Sequence, residues 1–173
     1  GLAFYTNSTG SYNVALGMES LYSNTTASSN TAVGYQAGYS NTTGSVTAFG
    51  QRALFNNTTG ADSVAVGIQA LVSNSTGNYN TAIGHIALTS NTTASGNTAV
   101  GYAALETNTT GTRNVAVGFQ ALEMNTTGVD NVAIGYDALE DNTTGLFNTA
   151  LGNYALTDNT TASHNTAVGY QAG

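Results

Sequence analysis

The chain has 173 residues, with 2 Lys and Arg against 9 Asp and Glu, for a formal net charge of -7. Nucleic acid and anionic membrane surfaces are held by clustered basic side chains, so this balance argues against both as partners. No cysteine is present, which removes disulfides and thiolate metal sites, and no apolar run approaches the ~20 residues of a membrane span.

Reading from the N-terminus, Asn7-Ser8-Thr9-Gly10 is followed by Asn13-Val14-Ala15-Leu16-Gly17, and this pair of segments recurs to the end of the chain. Ala-Φ-Gly, with Φ bulky and apolar, ends at Gly17, Gly34, Gly50, Gly67, Gly84, Gly101, Gly118, Gly135, Gly152 and Gly169. Every spacing is seventeen residues except the sixteen between Gly34 and Gly50. β-Branched residues around an alanine favour a short strand, and Asn-Thr-Thr-Gly favours a turn. The sequence therefore predicts strand and turn alternating once per repeat. The third unit, Gly44-Ser45-Val46-Thr47-Ala48-Phe49-Gly50, lacks one residue between triplet and strand. A slip inside the strand turns every side chain to the wrong face. The turn is thus expected to absorb the deletion, keeping Ala48 and Phe49 in register with Ala65 and Val66.

Seventeen residues are too few for a repeat of two helices, and Gly, Thr and Asn lower helix propensity throughout. One unit cannot bury its own apolar face, whereas stacked units can. The predicted fold is all-β: a β-solenoid, a parallel β-roll or β-helix, of about ten 17-residue coils spanning 1–173 as one domain. Coils ~4.8 Å apart make a rod roughly 48 Å long.

Side chains alternate along a strand. In Val132-Ala133-Ile134-Gly135 the expectation is that Val132 and Ile134 fill the coil with Leu139, leaving Ala133 and Gly135 outside. An outer strip of small side chains marks close approach of another backbone, either the opposite wall of the coil or a second subunit. The second subunit is the preferred reading. The candidate inter-subunit strip is Ala15, Ala32, Ala48, Ala65, Ala82, Ala99, Ala116, Ala133, Ala150 and Ala167.

The segment Asn-[TV]-Ala-[VIL]-Gly-x-x-Ala, as at Asn131 to Ala138, resembles the head repeats of trimeric autotransporter adhesins, the YadA-like head family. Asn-Thr-Ala-Val-Gly-Tyr-Gln-Ala, at Asn30 to Ala37 and Asn165 to Ala172, also looks like repeats of phage tail fibres and large bacterial surface proteins. The resemblance implies a trimeric, left-handed parallel β-roll used as a fibre or adhesin. The repeat here is a few residues longer than the usual head repeat, mostly in the Asn-Thr-Thr segment.

Asn7, Asn24, Asn41, Asn57, Asn74, Asn91, Asn108, Asn125, Asn142 and Asn159 each open a glycosylation sequon, and Asn56 makes an extra one. One reading is a sugar-coated rod. The other is a structural ladder in which stacked amides hydrogen-bond from coil to coil. Coil spacing favours the ladder, because a glycan is wider than ~4.8 Å. The second column, Asn13, Asn30, Asn80, Asn97, Asn114, Asn131, Asn148 and Asn165, carries no sequon and reads as structural; it breaks at Ser63.

Little points to catalysis, and no enzyme, cofactor or metal site is expected. His85 and His164 fall at different repeat positions, and no lysine serves a phosphate loop. The acids are too irregular for a calcium-binding repeat. Glu106, Glu123 and Glu140 share one position, and Asp141 and Asp158 the next, which stacking turns into an acidic stripe. The expected function is a shaft in an extracellular, cell-surface or virion fibre that self-associates as a homotrimer or filament, reading as a piece of a longer fibre. Alternatives are a module contacting a surface glycan or receptor and, more remotely, an ice-binding solenoid built on the Thr/Asn arrays.

Overall fold

The computed structural model describes all of residues 1–173 as ten strands and the turns between them. The strands are β1 (Val14–Leu16), β2 (Thr31–Val33), β3 (Val46–Phe49), β4 (Ser63–Val66) and β5 (Thr81–Ile83), then β6 (Thr98–Val100), β7 (Val115–Val117), β8 (Val132–Ile134), β9 (Thr149–Leu151) and β10 (Thr166–Val168). They form one parallel sheet in sequence order, β1 to β10. The chain is the β-solenoid its period predicts, with one coil per repeat.

Register is uniform. Ala99 pairs with Ala116, and Ala116 with Ala133. The short third coil keeps it: Ala48 lies between Ala32 and Ala65, and Phe49 between Val33 and Val66. The missing residue belongs to a left-handed turn position, held by Ser29 (φ 62°) and Asp62 (φ 55°) in the flanking coils. The turn absorbs the deletion and the strand is spared, as the face argument requires.

The strand faces are the reverse of the sequence expectation. Ala133 is fully buried, whereas Ile134 is 42% exposed and Val132 only partly covered. From Ala32 to Ala150 the alanine column is fully buried in the single chain, and Ala15 and Ala167 at its ends also point inward. The proposed inter-subunit strip is therefore core. The backbone close to it is the opposite wall of the same coil, which contributes Leu139 and Ala138 to the same cluster. The coil is narrow: with a leucine and two asparagine columns inside, a methyl group is what the strand side has room for.

That leucine sits in a costly conformation. Leu122 (φ 54°) and Leu139 (φ 52°) are left-handed, as is another residue two positions earlier in each coil, Gln120 (φ 53°) and Asp137 (φ 51°). A left-handed L-residue costs about 1–2 kcal/mol. Full burial of the leucine contributes about 1.5–3 kcal/mol, enough to offset its own turn. The strained bends let seventeen residues close a coil.

The glycine after each strand has a different cause. Gly118 has φ +141°, and a Cβ built there would lie 2.2 Å from the carbonyl oxygen of Gly135 in the next coil. Gly118→Ala should therefore destabilise by at least ~2 kcal/mol, from strain plus overpacking. Gly96 (φ +74°) is the contrast: a Cβ there meets nothing closer than Arg113 Cγ at 3.5 Å, and other coils place Tyr79 or Asp130 at this turn position. Gly96→Asn should change stability by less than ~1 kcal/mol, measured by thermal or denaturant unfolding.

Candidate interaction surfaces

Both asparagine columns lie inside the rod. In the triplet column, Asn108 Nδ2 donates to Asn91 Oδ1 at 3.1 Å and to the Gly111 carbonyl at 3.0 Å, while its own Oδ1 accepts from Asn125 Nδ2 at 2.8 Å. The same bonds recur along the column. In the second column, Asn97 Oδ1 accepts from the Asn114 backbone N–H at 2.9 Å, and Asn97 Nδ2 donates to the Gly111 carbonyl at 2.9 Å. Where this column changes residue, the backbone bond persists: Asn30 Oδ1 accepts from Val46 N–H, and Ser63 Oγ from Asn80 N–H. An amide supplies both a donor and an acceptor along the axis, which is why Asn can repeat without leaving a buried group unpaired.

The glycosylation reading of this column is corrected. Asn24, Asn41, Asn57, Asn74, Asn91, Asn108, Asn125 and Asn142 are fully buried, so no glycan fits on them in the folded rod. Asn7 and Asn159, at the column's ends, are half-buried and bonded into the same ladder. The extra sequon asparagine, Asn56, is exposed.

The outward surfaces differ from corner to corner. On the sheet, the Φ residues Phe49, Val66, Ile83 and Ile134 are exposed. Beside them runs the residue after each glycine, with Tyr102, Phe119 and Tyr136 stacked 5.0 Å apart and His85 tilted against Tyr102 at 5.6 Å. Together they make an apolar stripe along the rod. A second aromatic ladder, Tyr5, Tyr22, Tyr39 and Phe55, stacks at 5.1 Å on another corner. Within the stacked part of each ladder, the inner ring faces are covered by their neighbours, so solvent meets mainly edges there. A sugar that stacks on a ring face finds few of them. The first threonine of each triplet is also engaged: Thr109 Oγ1 donates to the Thr126 carbonyl and Thr126 Oγ1 to that of Thr143. One exposed threonine column, which includes Thr110 and Thr127, remains. That is one row, not the flat two-row array an ice-binding face would present.

Tyr5 to Phe55 occupy the same repeat position as Glu106, Glu123 and Glu140, so one corner is aromatic in the N-terminal half and acidic in the C-terminal half. Burial and the charge of Glu123 push the Glu106 carboxyl above the ordinary carboxylate range. Burial, then Asp137, Asp141 and Glu123, do the same to Glu140. Glu123 itself accepts a hydrogen bond from Gln120 Nε2. Elsewhere charge is paired across coils: Arg113 Nε and Asp130 Oδ1 lie 2.7 Å apart, and the hydrogen bond holds the Asp130 carboxyl below its usual range. Sequence reading placed the acidic stripe but missed Asp137, which stands in a neighbouring column where other coils carry residues as varied as Glu19, Gln36, Arg52, Ile86 and Ala103.

Two outcomes follow. Asn108→Ala removes three ladder bonds and leaves Asn91 Oδ1 without this donor, so it should cost about 1–3 kcal/mol, while Asn56→Ala stays within about 0.5 kcal/mol; unfolding midpoints check both. For Glu140 the folded pKa is raised. Its protonation is thus stabilising below the unfolded pKa of about 4.3, and that stabilisation is lost as pH rises through the folded pKa. Glu140→Gln should raise the melting temperature near neutral pH in metal-free, low-salt buffer, with a smaller gain at about pH 4 or in high salt.

Compared with known proteins, the chain matches no family model, no curated protein and no solved structure.

Proposed function

We propose that the chain is a structural rod, the shaft of an extracellular fibre of the adhesin or phage tail fibre kind, in which copies associate side by side. The observation that supports this is the apolar stripe on the outer face of the sheet. Ile83, Phe119, Ile134 and Tyr136 are each at least 40% exposed in the single chain. Contiguous apolar surface of this kind marks an interface. A partner that presents the same period meets it coil for coil, and a second copy of the chain is the simplest such partner. Lateral contact through Val, Ile and aromatic side chains takes the place of the alanine contact expected from sequence.

The interior suits a mechanical role. Buried amide ladders and a parallel sheet join every coil to the next, so bending or local opening breaks several bonds together. A homotrimer or a filament is the assembly this reading anticipates.

Light scattering coupled to size-exclusion chromatography tests it: the mass should be that of two or more copies at tens of micromolar, and a monomer there would overturn lateral association. Ile83→Asp combined with Ile134→Asp should shift the mass to monomer while strand content by circular dichroism stays constant. Ala133→Leu should act differently. It overpacks the coil, lowering stability by about 1–3 kcal/mol with the mass unchanged below the melting transition. The opposite pattern, with mass lost in the alanine variant alone, would return the interface to the alanine column.

A further inference from the structure

We propose that Asn56 is the interior sequon asparagine that carries an N-linked glycan compatibly with the folded rod, and that a glycan on any of the buried triplet asparagines blocks folding. Two overlapping sequons, Asn56-Asn57-Thr58 and Asn57-Thr58-Thr59, set the cases side by side. Asn57 is fully buried, whereas Asn56 is exposed. Asn57 Nδ2 donates to Asn41 Oδ1 at 2.8 Å and to the Gly60 carbonyl at 2.9 Å, so both amide hydrogens are in use. Asn74 and Asn91 donate in the same double fashion. A glycan replaces one of those hydrogens with a sugar carbon. That change breaks a ladder bond, leaves a buried acceptor unpaired and puts a ring where the next coil packs ~4.8 Å away. Each coil is stabilised by its neighbours, so one glycan in this column interrupts the stack.

Asn56 stands outside both ladders. Its backbone N–H donates to the Val72 carbonyl at 3.0 Å, which holds the residue in its coil. Ser40 and Ser73 precede and follow it in its column. Small side chains therefore flank it, no second acceptor crowds it, and a glycan wider than one coil can spread over its neighbours. Thr58 sets the timing. A sequon is read through its closing hydroxyl, and in the rod Thr58 Oγ1 donates to the Ser75 carbonyl at 3.0 Å. Transfer thus belongs to the unfolded chain. There Asn56 Nδ2 forms a bond to the anomeric carbon of a diphosphate-linked oligosaccharide donor. The bond from that carbon to the phosphate oxygen breaks, the diphosphate leaves with the electron pair, and one Nδ2 proton passes to a base of the transferase. The unfolded chain opens every sequon to the enzyme, and the fold then sorts the products. Among the interior sites, chains modified at Asn56 alone or left unmodified close their coils.

Secretion of the chain from a glycosylating eukaryotic host tests this, with chain made in a bacterial cytoplasm as the unmodified reference. Partial inhibition of donor synthesis by tunicamycin leaves chains with few sugars. Folded and unfolded fractions are then separated by protease resistance, and their glycopeptides are mapped by mass spectrometry. Sugar on Asn56 is expected in the folded fraction, and sugar on Asn74, Asn91 or Asn108 in the unfolded fraction alone. A folded fraction glycosylated on any of those three would overturn the folding block. Sugar on Asn56 confined to the unfolded fraction, or no sugar on Asn56 in either, would overturn its assignment. A variant gives a second, independent measurement. Valine in place of the last threonine of all ten triplets, as in Thr59→Val, removes the triplet sequons but keeps Thr58 and both ladders. Those threonines are exposed, and valine keeps their β-branched shape. With no inhibitor, this variant should be secreted folded, by circular dichroism, with one glycan that Asn56→Gln removes. The wild-type chain should be recovered folded at least tenfold less under the same conditions, and equal recovery would count against the proposal.

Discussion

The structure depends on one constraint: each coil must be an acceptable hydrogen-bonding surface for the next. Its 111 backbone–backbone hydrogen bonds run predominantly between residues sixteen to eighteen apart, from one coil to its neighbour. A bond of this kind forms only if the neighbouring coil presents the same backbone shape at the same height. Period, left-handed bends and the glycine after each strand all follow from that requirement. Gly118 is small because the Gly135 carbonyl comes so close, and Gly135 is small because Gly152 does the same.

Inside so narrow a coil there is too little apolar volume for an ordinary core. Most interior coils bury one leucine, two alanines and two asparagines; Gly38 takes the leucine position in one coil, and Val46 and Ser63 take that of the second asparagine in two others. Buried polar groups are a liability unless every donor and acceptor is matched. Asparagine meets that condition because translation along the axis carries its donor onto the acceptor of the previous copy. The ladders thus stabilise the rod largely by leaving nothing unpaired, and they make it specific for its own register.

The exterior is free of that constraint, and there the repeats diverge. One corner passes from stacked tyrosines to glutamates, and another carries the Arg113–Asp130 pair. The sheet face alone keeps its apolar character over the whole length. A uniform shape inside and one uniform apolar face outside are the features on which the proposed fibre role rests. Arg52 Nε and Asp137 Oδ1, both in the column beside the tyrosine and glutamate corner, are the two buried side-chain polar atoms left unmatched, against an otherwise satisfied interior.

Sequence by itself determined the period, the strand and turn positions and the register across the short coil. These are translational properties, and translation is what a repeat writes out: Ala48 has to remain in its column because a one-residue slip inverts a strand. It also identified Asn108 and its column as a ladder, from the width of a glycan against the spacing of coils. Which side of the strand faces inward was decided only by the tertiary structure. Alternation separates Ala133 from Val132 and Ile134 but carries no sign, and the general preference for burying the bulkier set gave the wrong one. The sign is set by the distance to the opposite wall, where left-handed Leu139 already fills the coil and leaves a methyl's width for the strand. That distance arises from bends at non-glycine residues, for which the sequence carries no local signal.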